Sequence, residues 1–147
     1  MRILTCTLSL MLSALAVSQE DEKWRRIYTF EDAALEMNVS KVSFGTGKIG
    51  RVRFRTVLSK PEALKEMSGV KYKSRLETIE FKCAERQYRV YETSLLDPKG
   101  KAIKSFEMGM SEEWKAVKSG SMVGRMFAPA CKLIDEKRRN PGEESQL

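Results

Sequence analysis

Residues 79–101 read IEFKCAERQYRVYETSLLDPKGK. Two runs that alternate apolar and polar side chains flank a three-residue link, and a turn signal closes the second. Starting from Glu77, residues Ile79, Phe81 and Cys83 fall on one side, and Thr78, Glu80 and Lys82 on the other. That period of two is the signature of a half-buried strand. Gln87 to Leu95 repeats it, with Tyr88 and Val90 on one side and Arg89 and Tyr91 on the other. Ala84-Glu85-Arg86 is a tight link, so the two strands are antiparallel neighbours. Asp97-Pro98-Lys99-Gly100 is a strong turn.

Working outward, the clearest strand runs from Ile49 to Leu58, with Val52 and Phe54 pointing one way and Arg51, Arg53 and Arg55 the other. Gly45-Thr46-Gly47-Lys48 is a turn before it. Trp24 to Phe30 alternates as a first strand: Trp24, Arg26, Tyr28 and Phe30 share a face, with Arg25, Ile27 and Thr29 opposite. Leu35, Met37 and Val39 mark a short second one. Ile103, Phe106 and Met108 mark the last. Lys60 to Arg75 reads as an exposed connection, with a turn or two of helix over Pro61–Met67 that starts on proline and stops at Ser68-Gly69. Ser119 or Ser121 can cap a C-terminal helix. Val123, Met126, Phe127 and Ala130 recur at helical spacing, and Pro129 predicts a kink or an end near Cys131. Trp24 is expected in the core and Trp114 partly buried beside the helix.

The start of the sequence has the layout of an export signal. Arg2 is followed by an apolar stretch, Ile3 to Leu15, and by small residues at Ala14, Ala16 and Ser18. Residues 1–18 are predicted to be a cleaved leader, cut after Ala16 or Ser18. The stretch is shorter than the ~20 apolar residues a membrane span needs, and no later segment is longer. The mature protein is therefore expected outside the cytoplasm, in a periplasm or at a cell surface. Residues 22–133 make one domain with one core, and 134–147, charged and poor in apolar residues, a disordered tail.

Export sets the cysteine chemistry. Cys6 leaves with the leader, and Cys83 and Cys131 remain as a pair with one possible connection. Closing a loop of about 50 residues stabilises a fold by roughly 4 kcal/mol on the chain-entropy model. The alternative is two buried free thiols.

The chain has no histidine, which removes the usual triads and the usual zinc sites. Gly45-Thr46-Gly47-Lys48 lacks the first glycine of a phosphate loop, since Val42 stands there, and no Ser or Thr follows Lys48. Ser68-Gly69-Val70-Lys71 has the S-x-x-K spacing without its partner motifs. Gly120-Ser121-Met122-Val123-Gly124 is not a nucleophile elbow. No catalytic residue, metal site or cofactor is expected. Asn38-Val39-Ser40 is a glycosylation sequon read here as strand.

These blocks resemble the surface-adhesin protein E family, small exported proteins of Gram-negative bacteria. The resemblance lies in the Trp24 strand, in Ile79–Lys101, and in EEWKAVKSGSMVGRMFAPAC from Glu112 to Cys131. It implies an α+β fold: a twisted antiparallel sheet of about six strands packed on a C-terminal helix, with Cys83 bonded to Cys131. The founding member of the family binds host matrix and plasma proteins, so the resemblance also implies a binding module and not an enzyme.

Two basic segments are candidate ligand sites. Arg51, Arg53 and Arg55 stack about 7 Å apart along one strand face, a row able to grip sulfated glycan, lipid phosphate or an acidic protein patch. Cross-strand glutamates such as Glu80 offer the competing explanation, a solvated outer face. Lys71 and Lys73, with Tyr72 between them and Arg75 after, form the second segment. The expected partner is an acidic glycan or an extracellular protein, through the basic sheet face. Nucleic acid is not expected, because the protein is exported. A competing role is a periplasmic inhibitor or envelope-homeostasis factor acting through the 60–75 connection. The oligomeric state stays open.

Overall fold

A computed structural model describes residues 22–107 and 112–141. The six main strands follow one another in space as they do in sequence. They are β1 (Trp24–Thr29), β2 (Ala33–Phe44), β3 (Ile49–Ala63), β4 (Lys71–Lys82), β5 (Gln87–Leu96) and β6 (Ala102–Glu107). Every pairing is antiparallel, in the order β1-β2-β3-β4-β5-β6. A two-residue strand, β7 (Lys115–Ala116), pairs with the start of β5. One helix, α1 (Met122–Arg139), crosses the inner face of the sheet.

The predicted alternation builds that inner face. Val52 and Phe54 of β3 meet Ile79 and Phe81 of β4, and all four are buried. Leu35 and Met37 of β2 join them, and the helix lays Met126, Phe127, Ala130, Leu133 and Ile134 over the layer. The Phe81 ring stands edge-on between Phe54, 6.2 Å away, and Phe127, 6.0 Å away. Such edge-to-face pairs add to the burial of the rings themselves. Cys83, just past β4, is bonded to Cys131 in the helix, as the pairing requires.

The helix is longer than the sequence suggested. Ser121 caps it, its Oγ accepting the Gly124 N–H at 3.0 Å. Pro129 lies inside and the helix runs ten residues further, to Arg139. Proline removes one internal hydrogen bond, but Ala130, Leu133 and Ile134 beyond it are buried, so packing on the sheet outweighs the lost bond. Ile134 is 1% exposed. The predicted boundary at 133 and disordered tail from 134 are therefore corrected: the first turns of that segment are helix. Lys137, Arg138 and Arg139 fill the last turn, where cations suit the helix dipole. Residues 142–147 and the predicted leader fall outside the described residues.

The 60–75 connection is corrected too. Ala63 pairs with Lys71 and Glu62 with Tyr72, so β3 and β4 form a long hairpin in place of a helical turn. Pro61 falls where the ladder is interrupted, between Val57 and Glu62, so its missing N–H breaks no pairing. The first strand also departs from simple alternation. A bulge between Arg26 and Tyr28 brings Ile27, Tyr28 and Phe30 against the core. Trp24, expected in the core, is left on the other face. β2 carries its own irregularity between Met37 and Val42. There Asn38 is fully buried, and its Oδ1 accepts from the Ser40 N–H, the Ser40 hydroxyl and the Lys41 N–H. A side chain so placed cannot receive a glycan, which agrees with reading the sequon as strand.

Candidate functional site

The outer face of the sheet carries the arginine row, and strand pairing decides what each arginine meets. Arg51 lies opposite Glu80 and Arg55 opposite Glu36. Arg51 Nε donates to Glu80 Oε1 at 2.6 Å. Arg55 donates to Glu36 Oε2 through Nε at 3.0 Å and Nη2 at 2.5 Å. Arg53 is paired with Glu22, just before β1. All three predicted ligand-binding arginines thus hold carboxylates of their own chain.

Aromatic rings complete the face. The Arg51 guanidinium lies 4.2 Å from the Tyr91 ring centre, and that of Arg55 lies 4.4 Å from Trp24. Arg89 takes the second oxygen of Glu80 and stacks 4.5 Å from Trp114, which Lys82 Nζ also approaches at 4.4 Å. Trp114 is half-buried as expected, but against these outer-face cations and not beside the helix. Glu80 is wholly buried beneath this group. A buried carboxylate is tolerable when both its oxygens are bonded to cations. Chemically the face is a set of satisfied ion pairs capped by rings, which fixes the 112–117 segment to the sheet through Trp114 and the β7 pairing.

The second predicted segment lies elsewhere. The ladder between β2 and β3 ends with Ala33 opposite Leu58, and that between β4 and β5 ends with Ser74 opposite Leu96. The β3–β4 hairpin continues past both, so residues 60–73 form an arm without a neighbouring strand among the described residues. Residues 60–75 hold Lys60, Lys65, Lys71, Lys73 and Arg75 against Glu62 and Glu66. Both carboxylates are engaged. Glu62 accepts the Tyr72 hydroxyl at 2.8 Å, and Glu66 accepts Lys104 Nζ at 2.5 Å. Tyr72 is consequently held above the usual phenol range by that hydrogen bond and by partial burial, and Glu66 below the usual carboxylate range by the hydrogen bond and charge of Lys104. Lys73 Nζ donates to the Ser59 carbonyl at 2.7 Å, and Arg75 pairs with Glu77 at 3.0 Å. Lys60, Lys65 and Lys71 are exposed and have no ion-pair partner among the described residues.

Sequence reading named Lys71 and Lys73 and missed Lys60 and Lys65, because the segment was read as an irregular connection. Folding as a hairpin brings the four onto one arm. A groove of about 430 Å³ opens where the arm's base faces the start of the helix, lined by Leu58, Tyr72, Arg75, Val90, Met122 and Met126 among others. Among the described residues no cluster of three metal-binding side chains occurs.

The profile of the family described as surface-adhesin protein E matches residues 18–132, most of the chain. The chain belongs to the surface-adhesin protein E family. The match ends one residue before Leu133, so the last turns of the helix lie beyond it. Membership makes this an adhesin-like surface protein. Among the described residues no helix is long and apolar enough to cross a membrane. No curated protein and no solved structure matches the chain.

Proposed function

We propose that this surface-adhesin protein E member is an exported module that binds and does not catalyse, attaching to acidic surfaces of extracellular glycan or protein. The observation that carries the reading is the contrast between the two basic segments. The arginines of the sheet face are neutralised by Glu22, Glu36 and Glu80, whereas Lys60, Lys65 and Lys71 are exposed on the arm without an ion-pair partner among the described residues. An unpaired exposed ammonium attracts a polyanion without first breaking an internal bond. The binding surface is accordingly the arm, with Lys73 at its base, in preference to the Arg51, Arg53 and Arg55 row first suggested by alternation.

The test is retention on immobilised heparin, used as a sulfated polyanion. Wild-type protein is expected to be retained at low salt and released as salt shortens the reach of its charges to within ~10 Å near 0.1 M. Lys65→Glu with Lys71→Glu should weaken binding strongly, and Arg53→Glu much less. Equal weakening by Arg53→Glu would move the site back to the sheet face. No retention of the wild type at low salt would refute the reading.

A further inference from the structure

The tip of the arm is built differently from its sides. The Leu64 N–H donates to the Val70 carbonyl at 2.9 Å, the Met67 N–H to Leu64 at 3.1 Å, and the Val70 N–H to Met67 at 3.2 Å. These bonds close a compact turn, with Gly69 supplying a backbone φ of +75°. The turn therefore stands preformed, with Leu64 and Val70 half-buried and Met67 at its apex, 41% exposed. Lys65 lies in this turn and Lys71 directly after it, with Lys60 further down the arm, and the carboxylates Glu62 and Glu66 are bonded within the chain.

We propose that the arm tip docks on an anionic phospholipid bilayer, with Met67 entering the interface and the lysines meeting the headgroups. The proposal rests on the reading of the arm as the acid-binding surface and goes further by naming the surface. A soluble polyanion engages the lysines and leaves Met67 in water. A bilayer satisfies both sets of groups, because anionic headgroups lie directly above hydrocarbon. Methionine suits this position, since its flexible thioether adapts to an irregular apolar surface. Each lysine close to an anionic leaflet is expected to strengthen binding roughly fivefold, and the gain vanishes beyond a Debye length. The arm continues past the last pairings of β2 with β3 and of β4 with β5, so its edges carry no paired strand among the described residues, and Glu66 beside the apex is held by Lys104 of β6.

The experiment is flotation of the full mature chain with phosphatidylcholine vesicles and with phosphatidylcholine–phosphatidylserine vesicles, run beside heparin retention. Wild-type protein is expected to float with the anionic vesicles alone. Met67→Ser should lower that binding severalfold and leave heparin retention unchanged. Lys65→Glu with Lys71→Glu should lower both. Met67→Trp should show blue-shifted emission, after subtraction of the wild-type signal, with anionic vesicles and none with heparin. Retention on heparin without vesicle binding, or vesicle binding indifferent to Met67→Ser, overturns this proposal and leaves the polyanion reading intact. Failure on both supports overturns both. Circular dichroism of each variant guards against misfolding, and Met67→Leu, which keeps the apolar apex, should restore flotation.

Discussion

Ile134 occupies the space that a side chain at Gly50 would fill. A Cβ at Gly50 would lie 2.6 Å from Ile134 Cδ1 and Cγ1, too close for any real contact. Gly50 is buried on β3, so the bare backbone there forms the seat for the penultimate turn of the helix core. Ile134→Ala is expected to destabilise the fold by about 2–5 kcal/mol, the range for emptying an aliphatic core site. Gly50→Ala should cost about 1–3 kcal/mol through overpacking. Urea denaturation of both variants checks this, and a neutral Ile134→Ala would show that the helix end is not seated.

Glu80 is the second structural centre. It is buried and held by Arg51 and Arg89, so Glu80→Ala leaves two guanidinium groups without their partner and should cost about 3–5 kcal/mol. Glu22→Ala, which breaks the more exposed pair with Arg53, should cost under about 1 kcal/mol. Denaturation midpoints of the two variants should differ accordingly.

Tyr72 gives a pH signature of the arm. Its hydroxyl donates to Glu62, so the phenol titrates above its ordinary value near 10. A group raised on folding contributes stability below its unfolded pKa, and that contribution is lost as pH rises through the folded value. Ultraviolet titration of tyrosine should show one late phenol, and Glu62→Gln should bring it down. No change on that substitution would mean the hydrogen bond is absent in solution.

Reduction of Cys83–Cys131 should lower stability by up to roughly 4 kcal/mol on the chain-entropy model. The helix should stay docked, because five of its side chains are buried on the sheet independently of the bond. Thermal unfolding with and without reductant, followed by helical circular dichroism below the transition, tests both statements.

Much of this was legible beforehand, for reasons tied to particular residues. Val52/Phe54 against Arg51/Arg53/Arg55, and Ile79/Phe81 against Glu80, alternate cleanly, and alternation fixes the face of a regular strand. Bulges defeat the same rule, and the one beside Ile27 is why Trp24 was misplaced. Pro61 was read as the first residue of a helical turn, yet it sits in a gap of the ladder where proline does no harm. Ile134 was hidden at the edge of a charged run, since the pair Leu133-Ile134 set between Lys132 and Asp135-Glu136-Lys137 carries little signal until its seat at Gly50 is known. At the binding surface, the sequence displayed the positive charges but not their internal partners. Which cations are spent within the chain is a matter of register, and register appears only in the fold.

The order of the strands has a consequence for how such a chain matures. Each strand from β2 to β6 pairs with its predecessor along the polypeptide, so a sheet of this kind can grow from one end as successive segments become available, with none of these five pairings waiting on a distant piece. Among the described residues, β7, which returns to the start of β5, and the helix are the pieces that turn back over finished work. Cys131 lies on the returning helix, so in this order of assembly the bridge joins the sheet to the piece that covers it, a seal on the molecule more than a guide to building it.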